Sequence, residues 1–134
     1  MNPSERIDRR ERRIRTVLIA DDDEQVRTLV WEMLSLEGLR VLPARNGAEA
    51  IELLQRQGEG VDVLLADVVM PRLGGRELAA KVAVAFPHIK ILFVSGYGDN
   101  ADFTAEFPEA EVIEKPFTCQ QLVEAVKAVL RKRG

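Results

Sequence analysis

Val63-Leu64-Leu65-Ala66-Asp67, followed closely by Met70-Pro71-Arg72-Leu73-Gly74-Gly75, is a short apolar run that ends in a carboxylate and then breaks into a loop. An apolar run of this length, bounded by polar or turn residues, is the pattern of a strand buried on both faces. Two glycines and a proline rule out regular structure straight after it. Three further runs have the same form. Val17-Leu18-Ile19-Ala20 enters Asp21-Asp22-Asp23, Ile91-Leu92-Phe93-Val94 enters Ser95, and Val112-Ile113-Glu114 enters Lys115. In open α/β sheets, ligands bind outside the carboxyl ends of the strands. Parallel pairing of these runs would bring carboxylates, a hydroxyl and an ammonium to one rim. Carboxylates suit a divalent cation, and Ser95 with Lys115 suits the oxygens of an anion. The rim is a place for a phosphoryl group.

Between the strands the period changes from continuous to helical. Residues 24–37 place Val26, Leu29, Val30, Met33 and Leu34 on one stripe, and Gly38 follows as a C′ glycine. Leu39 to Ala44 is a second strand interrupted by Pro43, and Asn46-Gly47 turns into a helix lined by Ala48, Ala50, Ile51 and Leu54. Val61 to Ala66 is the third strand, with Asp62 at its entry. Glu77 to Phe86 is a helix stopped by Pro87, and Ile89 to Val94 is the fourth strand. Gly96, Gly98 and Pro108 leave room for a short helix around 100–107, with Phe103 and Phe107 on one face. Thr118-x-x-Gln121 is a capping box, and Phe117 faces Leu122 as a hydrophobic staple. Leu122, Val123, Val126, Val129 and Leu130 stripe the last helix. Five strands alternating with five helices predict an α/β fold, a five-stranded parallel sheet with helices on both faces.

The 134 residues suit one domain with a real core, and 46% hydrophobic with 31% charged residues is ordinary globular composition. The apolar runs are far shorter than the roughly 18 residues of a membrane span. No signal peptide opens the chain, and Cys119 is the single cysteine, so an intrachain disulfide is excluded; we expect a cytoplasmic protein. The net charge of −3 hides an asymmetry, because residues 1–15 carry six arginines against Glu5, Asp8 and Glu11. We therefore expect a basic leader over 1–15, flexible or helical, and a domain over 16–133. The acidic body argues against nucleic acid as the domain's partner.

The order of these residues resembles the receiver domain of two-component response regulators over about residues 16–132. The markers are Asp21-Asp22 after strand one, Asp67-x-x-Met-Pro with Gly75 eight residues on, Ser95-Gly96, and Lys115-Pro116-Phe117. The resemblance implies the (βα)5 flavodoxin-like receiver fold. It also implies that Asp67 is a phosphoacceptor and that Mg²⁺ is held by Asp21, Asp22, Asp67 and the backbone carbonyl of Val69. Ser95 and Lys115 would bind phosphoryl oxygens, and Lys115–Pro116 is often cis in such proteins. The implied donor is a phosphohistidine of a sensor histidine kinase or histidine phosphotransfer protein, and the output passes to a downstream protein target. Such a protein is a phosphoacceptor that assists its own phosphorylation and dephosphorylation, not a conventional enzyme.

Two positions depart from the family pattern. Val112 stands where receivers often carry an aromatic residue three before the lysine, so a tyrosine-rotation switch cannot operate there. Val69 and Tyr97, the variable positions two after Asp67 and two after Ser95, are neither carboxylates nor amides able to orient an attacking water, so slow self-dephosphorylation is expected. Ser95-Gly96-Tyr97 is similar to the receivers of hybrid histidine kinases, so an excised hybrid-kinase domain is one alternative. A receiver-shaped interaction module that is not phosphorylated is another. Asp21-x-Asp23 also resembles the opening of haloacid-dehalogenase-type phosphatases, although the paired late aspartates and a substrate cap are missing. Asp23 itself is expected only to cap the first helix. Trp31 and Cys119 are expected to serve packing, Cys119 as a small apolar filler.

Overall fold

The computed structural model describes residues 13–96 and 105–132. Five strands, β1 (Thr16–Ala20), β2 (Arg40–Ala44), β3 (Val63–Asp67), β4 (Lys90–Ser95) and β5 (Glu111–Glu114), form one parallel sheet in the order β2-β1-β3-β4-β5. Four α-helices are found among the described residues: α1 (Glu24–Leu36), α2 (Gly47–Gln57), α3 (Gly75–Ala85) and α4 (Cys119–Arg131). The expected short helix at 100–107 falls mostly outside the described residues, as do Tyr97 and Phe103, while residues 105–106 form a turn. Phe107 is buried and meets Phe93 edge to face, with ring centroids 5.3 Å apart.

Alternation along the strands sorts the core into two layers. Val17, Ile19, Val63, Leu65, Leu92 and Val94 pack with Val30 and Leu34 of α1 and with Leu122, Val126 and Val129 of α4. The intervening Leu18, Ala20, Leu64 and Ala66 pack on the opposite side with Ala50 and Leu54 of α2 and Leu78 and Val82 of α3. Every residue of β1 and β3 is buried, which is why both strands are apolar almost throughout. Pro43 does not break β2; it pairs with Ile19, and β2 is an edge strand, where a proline is tolerated.

The helix ends follow from local chemistry. Asp23 caps α1, accepting from the Gln25 and Val26 N–H groups, and Gly38 takes φ 81° just past its end. Asn46 caps α2 through the Glu49 N–H. Thr118 and Gln121 form the reciprocal capping box of α4, and Phe117 packs against the core layer that contains Leu122. Strand order reverses between β1 and β3, so their carboxyl ends border the crevice where an open parallel sheet takes its ligand. No helix among the described residues is long and apolar enough to cross a membrane.

Candidate functional site

Asp21 and Asp22 follow β1, Asp67 ends β3, Ser95 ends β4 and Lys115 follows β5, so the expected site residues all lie at the carboxyl edge of the sheet. Carboxylate oxygens of Asp21, Asp22 and Asp67 lie within 4.8 Å of one another. Asp21 and Asp67 are buried, whereas Asp22 is exposed. Lys115 Nζ lies 3.0 Å from Asp67 Oδ2 and 3.5 Å from Asp21 Oδ2, tying the two buried carboxylates together. Lys115 is carried by a cis Lys115–Pro116 peptide. Ser95 is buried beside β3, since Asp67 pairs with Val94 in the adjacent strand. Val69 turns its side chain to solvent, and its N–H donates to Asp67 Oδ1 at 3.1 Å.

Three carboxylates cannot sit this close without a cost that something must offset. Burial raises the Asp21 pKa above its ordinary 3.8, and the charges of Asp67 and Asp22 push the same way against the Asp23 N–H and Lys115. Burial alone would lower Lys115, but the hydrogen bond to Asp67 and the charges of Asp21 and Asp67 outweigh it, so its pKa is raised. One ammonium among three carboxylates leaves the pocket anionic. Hard oxygen donors with a surplus of negative charge, two of them buried, fit Mg²⁺, which takes few carboxylates and keeps several waters.

The backbone of the pocket is held as firmly as its side chains. Asp21 donates its N–H to the Ala44 carbonyl, and its Oδ1 accepts from Asp23 N at 2.9 Å. Its carbonyl accepts from Arg27 Nη1 at 2.8 Å, a contact for which the sequence offered only a polar residue one turn into α1. A Cβ on Gly75 would lie 2.2 Å from the Asp67 carbonyl oxygen, so the start of α3 rests directly on the backbone of Asp67. Asp23 turns away into its capping role, which removes the second aspartate of the phosphatase-like motif. Cys119 is exposed at the start of α4, so it is not the apolar filler expected, and Trp31 is half-exposed.

Residues 17–127 match the family model described as the response regulator receiver domain. The chain belongs to that family. This receiver is 35% identical over 120 residues to the response regulator receiver protein CpdR of Brucella abortus, covering 87% of this chain and 98% of that protein. It is 36% identical over 121 residues to the sensor kinase CckA of the same organism, covering 88% of this chain but only 13% of the kinase. Among solved structures, a response regulator receiver protein from Sinorhizobium medicae superposes with a TM-score of 0.81 at 28% identity, covering 90% of this chain and 98% of that one. The receiver fold and membership of the receiver-domain family are thereby established, and the sheet order agrees with them.

Proposed function

We propose that this receiver accepts a phosphoryl group on Asp67 from a phosphohistidine of a sensor histidine kinase or a histidine phosphotransfer protein. The signal then leaves through contacts with a downstream protein target. The observation that carries this reading is the buried Asp67, paired with Lys115 and within 4.8 Å of Asp21 and Asp22 at the carboxyl edge of the sheet. A carboxylate oxygen of Asp67 attacks phosphorus, an O–P bond forms, and the P–N bond to the donor imidazole breaks. Such transfer needs positioning and neutralisation of the equatorial oxygens more than acid–base catalysis. Lys115 moves from its carboxylate partners to a phosphoryl oxygen, and Ser95 donates its hydroxyl to another.

Mg²⁺, held by Asp21, Asp22, Asp67 and the Val69 carbonyl, would neutralise charge on the transferring group and relieve repulsion among the carboxylates. The Val69 N–H, already directed at Asp67, holds that carboxylate in place. In this reading the chain is a cytoplasmic phosphoacceptor module with a basic leader over 1–15 and the domain over 16–133. Residues 1–12 of that leader lie outside the described residues.

Intact mass after incubation with acetyl phosphate and Mg²⁺ tests the proposal. The native chain should gain about 80 Da, the mass of one phosphoryl group replacing one hydrogen on the carboxylate nucleophile. Asp67→Asn, or native protein in EDTA, should gain nothing. A native chain that binds Mg²⁺ yet takes up no phosphoryl from acetyl phosphate or from a phosphorylated histidine donor would leave the receiver-shaped interaction module as the better reading.

A further inference from the structure

Gly47 opens α2 at a position where the backbone does not call for glycine. Positive φ values among the described residues occur only at Gly38 and Arg72, and alanine is the better helix former. What Gly47 supplies is space. A Cβ built there would lie 2.5 Å from the Leu73 carbonyl oxygen, 2.6 Å from its Cβ and 2.9 Å from its Cγ. The first of these is backbone and cannot swing aside on its own.

Leu73 belongs to the loop that leaves Asp67. Its N–H donates to the Pro71 carbonyl at 2.9 Å across Arg72, whose φ of 73° lies in the left-handed region. A non-glycine residue keeps that conformation only where its surroundings hold it. Met70 is buried among residues of α2 and α3, and Val69 is bonded to the Asp67 carboxylate. The loop is therefore fastened to the acidic pocket at one end and rests on the first residue of α2 at the other.

We propose that Gly47 is a positioning residue for the metal site. By letting the start of α2 come against Leu73, it fixes where the Val69 backbone sits beside Asp67, without touching the cation itself. This rests on the reading that Mg²⁺ is held by Asp21, Asp22, Asp67 and the Val69 carbonyl. A methyl group at 47 pushes Leu73 outward, and the displacement runs back through the three intervening residues to Val69.

The test is calorimetric titration of Mg²⁺ into the native chain, Gly47→Ala, Leu73→Gly and the double variant, with unfolding of each in EDTA as the structural control. Gly47→Ala should weaken Mg²⁺ binding about tenfold or more, the usual size of an outer-shell effect on a metal site. The double variant should bind no more weakly than Leu73→Gly alone, because two of the three clashing atoms are gone and the carbonyl now sits on a glycine free to turn. Unchanged affinity in Gly47→Ala overturns the proposal, and so do strictly additive losses, which would mean that the two residues act separately. Should Gly47→Ala fail to fold, Leu73→Gly decides alone: it frees the loop and should lower affinity, and unchanged affinity overturns the proposal. Absence of Mg²⁺ binding by the native chain would remove the metal assignment and this inference together. Native binding with indifferent variants removes only the inference.

Discussion

Asp21, proposed as a metal ligand, shows how a buried carboxylate opposes the fold that carries it. Its folded pKa lies above 3.8 because burial and the neighbouring carboxylates disfavour the anion. A raised folded pKa means that its contribution to stability is whole below the unfolded value and is lost as pH rises through the folded one. At neutral pH in EDTA, Asp21→Asn should therefore unfold at a higher temperature than the native chain, and the difference should shrink as pH falls toward 4. Saturating Mg²⁺ should reverse the order, because only the native chain gains binding energy. Thermal unfolding at pH 4 and 7, with EDTA and with Mg²⁺, checks both signs; a variant less stable than native in EDTA at pH 7 would contradict the account. Lys115 has the complementary behaviour: its raised pKa keeps its contribution intact below about 10.5, to be lost only in stronger alkali. A second expectation concerns the exposed Val69. Neither it nor Tyr97 supplies a carboxylate or amide to orient an attacking water, so the aspartyl phosphate should outlive that of the Val69→Asn/Tyr97→Glu variant when decay is followed by intact mass. Equal or faster decay in the native chain would refute it.

The clearest element boundary is the start of α4. Thr118 Oγ1 accepts from Gln121 N at 3.0 Å, and Gln121 Oε1 accepts from Thr118 N at 2.8 Å. Thr118→Ala should cost about 1 kcal/mol in urea unfolding, typical for a lost N-cap, and an unchanged midpoint would show the cap to be idle. This box was legible in the sequence because it is written in four consecutive residues, as was the Asp23 cap. Strands β1 and β3 were legible because burial on both faces leaves a continuous apolar run. β2 was harder, since Pro43 argues against a strand until one knows that β2 lies at the sheet edge. The start of α3 lay two residues before the expected Glu77, because Gly74 caps it without any side-chain signal. Gly75 is there for contact with the Asp67 carbonyl, and a glycine in a loop-like stretch does not announce that the next backbone leans on it. Val112 is half-exposed on β5, so the element that often carries a switching aromatic offers only a short aliphatic side chain.

At the scale of the molecule, the placement of the candidate site residues was legible because they sit at fixed places in a repeating pattern, strand end after strand end. Contacts that join distant segments without a pattern were not, and the pairing of Arg13 with Asp62 is the plainest. Asp62 precedes β3 and is buried; it accepts from Thr16 N at 2.8 Å and from both terminal nitrogens of Arg13. The Arg15 carbonyl accepts from Arg40 N at 2.9 Å, so residues 13 to 15 are bound to β2 and to the residue before β3 although they lie within the expected basic leader. Six arginines in fifteen residues gave no hint which of them the domain would use. Removing Arg13 leaves Asp62 with one backbone donor in a buried position, while its half-exposed guanidinium limits what the pair is worth. Arg13→Ala should therefore cost about 1–2 kcal/mol, between a surface ion pair and a fully buried one. Deleting residues 1–15 should cost more than that single change, because the Arg15 carbonyl is lost as well. Arg13→Ala/Asp62→Asn should recover part of the loss, since an amide tolerates burial without a cation better than a carboxylate does. Urea unfolding of the three variants in EDTA separates these outcomes. If Arg13→Ala matched the native chain while the deletion did not, the leader would hold the sheet through its backbone alone.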